Sequence, residues 1–114
     1  MQLHYLEIVT HDIDGVIASY QATHKVSFSE PDPMLGTART CTLKDGSTLG
    51  VRGPMRDTET PVVRPYFLVD DIEQAVKDAA AQGAEIAVPP MEIPGKGYCA
   101  IYLQGGNDHG LWQL

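Results

Sequence analysis

Positive charge is scarce in this chain. Eight Lys and Arg stand against fifteen Asp and Glu, a formal net charge of −7 over 114 residues. The basic residues are scattered singly, whereas phosphate binding needs them clustered. Nucleic acid and anionic membranes are therefore excluded as expected partners. Long apolar runs are also missing: no stretch approaches the ~20 residues of a membrane span. The opening Met1-Gln2-Leu3-His4-Tyr5 lacks the charged start and apolar run of a leader. The expectation is a soluble, cytoplasmic protein. Cysteine is limited to Cys41 and Cys99, both within apolar, strand-like runs. They read as two buried thiols in a reducing compartment, with a single disulfide left open. No His-x-x-x-His or His-x-Glu spacing occurs, so a local zinc motif is absent. No Ser-His-Asp or Cys-His arrangement is recognisable, and Gly105-Gly106-Asn107 is too short a turn to cradle a nucleotide.

What the chain has is ordinary globular composition, 43% hydrophobic and 20% charged. By length it is one domain that buries roughly two-thirds of its unfolded surface. Leu3 to Val9 reads as a strand. Thr10-His11-Asp12 then caps a helix from Ile13 to Thr23, with Ile13, Val16, Ile17 and Tyr20 on one face. Lys25 to Ser29 reads as a short strand stopped by Pro31-Asp32-Pro33. Thr37 to Leu43 and Thr48 to Arg52 flank Lys44-Asp45-Gly46-Ser47, a hairpin signal. Gly53 to Thr60 is polar and reads as a linker.

The pattern then repeats. Val63 to Val69 is a strand. Asp70-Asp71 caps a helix from about Ile72 to Gln82, with Ile72, Val76 and Ala79 on one face and Gly83 as terminator. Ala84 to Val88 is a strand stopped by Pro89-Pro90. Pro89 to Gly97 is a loop, and Tyr98 to Leu103 and Gly110 to Leu114 are the last strands. Val9-Thr10-His11-Asp12-Ile13 lines up with Leu68-Val69-Asp70-Asp71-Ile72. An internal repeat of this kind governs the fold. The reading is an α+β chain of two βαβββ modules, with residues 1–53 as module one, 54–62 as linker and 63–114 as module two. A curved mixed sheet encloses a cleft, and the helices lie outside.

Tyr66-Phe67-Leu68-Val69-Asp70-Asp71-Ile72, Gln82-Gly83-Ala84, Pro89-Pro90-Met91-Glu92-Ile93-Pro94-Gly95-Lys96-Gly97 and the closing Gly110-Leu111-Trp112-Gln113 resemble the vicinal oxygen chelate (VOC) superfamily, of glyoxalase/bleomycin-resistance/dioxygenase type. The ending resembles a glyoxalase-like branch related to lactoylglutathione lyase. The likeness spans nearly the whole chain, though the first half matches mainly by pattern. It implies a homodimer. It also implies a divalent metal held on four side chains, one from the first and one from the last strand of each module. Aligned residue by residue, those positions fall on Tyr5, Gly50, Arg64 and Gly110. A guanidinium repels a cation and glycine offers no side chain, so the expectation is no metal and no cofactor. His4 is one residue out of register, which points it to the other side of the sheet. His11 and His24 stand at helix ends and His109 in the last turn, all read as structural.

Strand alternation assigns a cleft face. It carries Tyr5, Glu7 and Val9; Thr48, Gly50 and Arg52; Arg64, Tyr66 and Leu68; and Asp108, Gly110 and Trp112. Tyr5, Glu7, Thr48, Arg52, Arg64, Tyr66 and Trp112 are the candidate ligand-binding residues, and Glu7 is the candidate catalytic base. Three functions follow. The first is a metal-free domain binding a small organic molecule in the cleft. The second is a glyoxalase-like lyase or isomerase, or a dioxygenase-related enzyme, with an unorthodox site. The third is a structural domain whose cleft is filled, with Glu7 paired to Arg52 or Arg64 and Trp112 as core.

Overall fold

The computed structural model describes residues 1–114. Seven strands and two helices make the chain α+β. They fall into two compact units, Tyr5–Val63 and Met1–His4 with Arg64–Leu114.

In the first unit, β1 (Leu3–Val9) leads into α1 (Ile13–His24), followed by β2 (Arg39–Thr42) and β3 (Thr48–Arg52). β3 is central. It pairs with β1 in parallel, with Tyr5 opposite Thr48, Glu7 opposite Gly50 and Val9 opposite Arg52. It pairs with β2 antiparallel. Parallel neighbours need a crossover, and α1 supplies it. The Asp12 carboxylate accepts from the Gly15 N–H at 3.1 Å, satisfying one of the donors a helix start leaves unpaired. Lys25 ends the helix in the left-handed region, φ 57°. Ile17 is buried against Ile8, Leu49 and Val51, with Leu6, Ile13, Val16 and Tyr20 around it. Full burial of a side chain such as Ile17 contributes about 1.5–3 kcal/mol. Because Leu6 and Ile8 face the helix, Tyr5, Glu7 and Val9 point to the opposite face.

The second unit runs β4 (Val62–Leu68), α2 (Ile72–Ala81), β5 (Glu85–Ile93), β6 (Gly97–Gln104) and β7 (Asn107–Gln113). The ladder order is β4-β7-β6-β5, with β4 and β7 parallel and the others antiparallel. The Asp71 carboxylate accepts from the Gln74 N–H at 3.1 Å. The Ile72 N–H donates to Gln113 Oε1 at 2.8 Å, fastening the start of α2 to the end of β7. Ile72, Ala100 and Leu111 form the core beneath the helix.

Two local expectations are corrected. Lys25 to Ser29 forms no strand. Ser29 alone reaches β2, donating its N–H to the Thr40 carbonyl at 2.8 Å, and Lys25 spends its backbone on the helix cap. Pro89-Pro90 does not stop β5. The register with β6 slips between Ile86 and Val88 and again between Val88 and Met91, and the prolines sit in the second bulge. Proline lacks the ladder donor and is tolerated at bulges and sheet edges. Pro89 to Gly97 is therefore not a loop but half a strand and a tight turn, closed by the Lys96 N–H on the Ile93 carbonyl at 2.9 Å.

Cys41 and Cys99 are buried thiols and neither is in a disulfide. A thiol-specific chromogenic reagent should modify neither in the native protein and both after denaturation. Rapid modification of either in native buffer would contradict this packing.

Candidate functional site

The face opposite α1 carries side chains that nothing in a hydrophobic core requires. Glu7 and Arg52 are 6% and 3% exposed. An arginine this deep must find acceptors for its fork, since an uncompensated buried charge is costly. Arg52 Nε donates to Glu7 Oε2 at 2.8 Å. Nη1 and Nη2 donate to Glu59 Oε1 and Oε2, both at 2.8 Å, a bidentate pair. Nη1 also reaches the Gly53 carbonyl at 3.0 Å. Burial opposes the guanidinium's charge, but hydrogen bonds to Glu59 and Glu7 outweigh it and hold the pKa above its ordinary value.

Tyr5 lies one pleat along. A Cβ built at Gly50 would collide with the Tyr5 hydroxyl and ring, so the missing side chain of Gly50 is what admits the phenol. Burial, then the charge of Glu7, push the Tyr5 pKa up, against the pull of Arg52. Thr48, the register partner of Tyr5, is half-buried at the start of β3.

The second unit repeats the device. A Cβ at Gly110 would collide with the Tyr66 ring, its register partner on β4. Tyr66 meets the Trp112 ring edge-on at 5.7 Å. Trp112 Nε1 donates to the Lys96 carbonyl at 2.9 Å, which anchors the indole to the β5–β6 turn. Arg64, 8% exposed, donates to Asp108 Oδ2 from Nε at 3.1 Å and from Nη2 at 2.9 Å. His4 lies 5.2 Å from the Trp112 ring, and burial lowers its pKa.

Each unit thus gathers its own candidates: Tyr5, Glu7, Thr48 and Arg52 in one, Arg64, Tyr66 and Trp112 in the other. Sequence reasoning missed Glu59. It stands in the polar stretch read as linker, and only the need of a buried Arg52 for acceptors signals it. It also missed the role of the Lys96 carbonyl, a backbone atom with no side-chain signature. The four positions that the resemblance aligns with metal ligands, Tyr5, Gly50, Arg64 and Gly110, offer a phenol, a guanidinium and two glycines. No group of three or more His, Cys, Asp or Glu is placed to hold an ion. The residues present do not fit the metal.

No family model matches the sequence, and no curated protein matches it. Solved structures match over nearly the whole chain. A hypothetical protein of Bacillus halodurans C-125 superposes with TM-score 0.77 at 14% identity, covering 99% of this chain and 94% of its own. A variant methylmalonyl-CoA epimerase of Streptomyces coelicolor, in complex with 2-nitronate-propionyl-CoA, gives 0.70 at 18% identity, covering 99% and 96%. Methylmalonyl-CoA epimerase of Mycobacterium tuberculosis gives 0.68 at 15%, covering 97% and 86%. The chain has the VOC-type fold.

Gly50→Ala should destabilise by about 1–3 kcal/mol through overpacking. Adding Tyr5→Phe, which removes the colliding hydroxyl, should make the double variant less unstable than the sum of the two single changes. Additive losses in urea denaturation would refute the interlock. The raised Tyr5 pKa means the folded state holds its proton where the unfolded chain, titrating near ~10, gives it up. That stability is present below pH ~10 and is lost as pH rises above it. Stability measured from pH 8 to 11 should fall less steeply in Tyr5→Phe than in the parent.

Proposed function

We propose that this chain is a metal-free VOC-type domain that binds a small organic molecule on the face carrying Tyr5, Glu7 and Arg52. The observation that carries the reading is a buried arginine, Arg52, fixed in one orientation by Glu7 and Glu59 on the face that also carries Tyr5. Small-molecule sites are built this way, with apolar and aromatic walls and a few polar groups locked in place. The fold is compatible, since the Streptomyces coelicolor methylmalonyl-CoA epimerase of the same fold was solved in complex with 2-nitronate-propionyl-CoA.

A second reading, a domain with no ligand, is favoured by the Glu7–Arg52 pair, because charges satisfied within the protein need no external partner. One experiment separates the readings. Protein purified without chelator is assayed for Ni, Zn, Mn and Fe, then screened by thermal shift against small acids, aldehyde adducts and antibiotics. The binding reading expects metal well below one equivalent and at least one compound that raises the melting temperature. Saturation to a hundred times Kd stabilises by about 2.7 kcal/mol, an easily measured shift. A full equivalent of metal would overturn the reading of Tyr5, Gly50, Arg64 and Gly110. A screen without a single hit would favour the domain with no ligand.

A further inference from the structure

Residues 53–61 hold no regular structure beyond a turn closed by the Glu59 N–H on the Arg56 carbonyl at 3.0 Å. Met55, Arg56, Asp57, Thr58, Thr60 and Pro61 are all exposed, Met55 at 66%. Within this solvated strap Glu59 turns inward, its side chain 16% exposed. Its two oxygens take the open end of the Arg52 fork, and Oε1 also accepts the Met55 N–H at 2.7 Å.

Three features set Glu59 apart from a structural counter-ion. First, the contact is the planar, two-bond pairing by which a guanidinium recognises any carboxylate. Second, Arg52 keeps an anchor outside the strap: Nε is held by Glu7 on β1. Third, Glu59 is surplus by charge, since Glu7 alone neutralises Arg52. A strap that leaves would place its carboxylate in water and leave behind a neutral, pre-oriented Glu7–Arg52 pair with the fork facing out.

We propose that Glu59 is an internal stand-in for the carboxylate of a ligand, and that the strap 53–61 yields Arg52 to a small organic acid when one binds. This rests on the small-molecule reading above and gives it a ligand class. Exchange of Glu59 for a ligand carboxylate conserves both the charge and the hydrogen bonds at Arg52. A tethered competitor acts at an effective concentration on the order of millimolar, so the parent protein binds such acids weakly until Glu59 is removed.

The experiment compares the parent, E59A, E59Q and R52K/E59A, each first checked for native circular dichroism. Melting temperature and calorimetric affinity are read against propionate, succinate and benzoate, with propionamide as the uncharged control. E59A and E59Q should bind at least one acid roughly ten-fold or more tightly than the parent, in keeping with loss of a tethered competitor. Propionamide should bind to none of them. R52K/E59A keeps a cation for Glu7 but lacks the fork, and should lose the gain. Equal affinity in parent and E59A would overturn the displacement. No response to any acid in E59A and E59Q would overturn the carboxylate site. If the wider thermal-shift screen still yields a ligand, the small-molecule reading survives that loss; if it yields none, both fall together.

Discussion

A guanidinium that is 3% exposed must be compensated locally, and the surroundings of Arg52 are arranged by that demand. Desolvating an ion costs several kcal/mol even after relaxation, and the attraction of one carboxylate offsets it only with good geometry and further hydrogen bonds. Glu7 reaches across the parallel β1–β3 pair to supply the first acceptor, and the strap folds back to supply the second and third. The chain after β3 is consequently not a slack tether. Its path is fixed by Glu59, while the residues around that carboxylate remain in water.

The same parallel pairs explain the two glycines. In each unit the first strand lies beside the last, and a phenol occupies the volume that a side chain on the last strand would take. A carboxylate at Gly50 or Gly110 is sterically incompatible with Tyr5 or Tyr66 in their present places. A side chain on the last strand and the aromatic ring on its neighbour are thus mutually exclusive. At Gly110 the Pro65 carbonyl adds a backbone obstacle to the ring.

Much of this was legible in the sequence, for reasons that differ by element. The helices were legible because Thr10-His11-Asp12 and Asp70-Asp71 precede runs with an apolar face, and the structure gives the cap to the last residue of each, Asp12 and Asp71. The sides taken by Tyr5, Glu7 and Arg52 followed from strand alternation, a purely local rule. What was not legible is set by partners distant in sequence. Lys25 to Ser29 has strand-like alternation, but its ladder depends on β2, and β2 meets only Ser29. Pro89-Pro90 reads as a stop because bulges leave no residue signature. Glu59 is one carboxylate among fifteen acidic residues, distinguished only by the arginine it meets.

The bulged β5 has a consequence for association. In its own ladder β5 pairs with β6 on one side only, so its other side is a sheet edge. An edge with a regular row of amides invites another chain to add a strand. Pro89 and Pro90 remove two consecutive donors, and the register slips around Val88 bend what is left. A foreign strand approaching this edge finds a ladder interrupted halfway along. The chain thereby carries its own barrier to runaway sheet growth, built from residues that look in the sequence like the end of a strand.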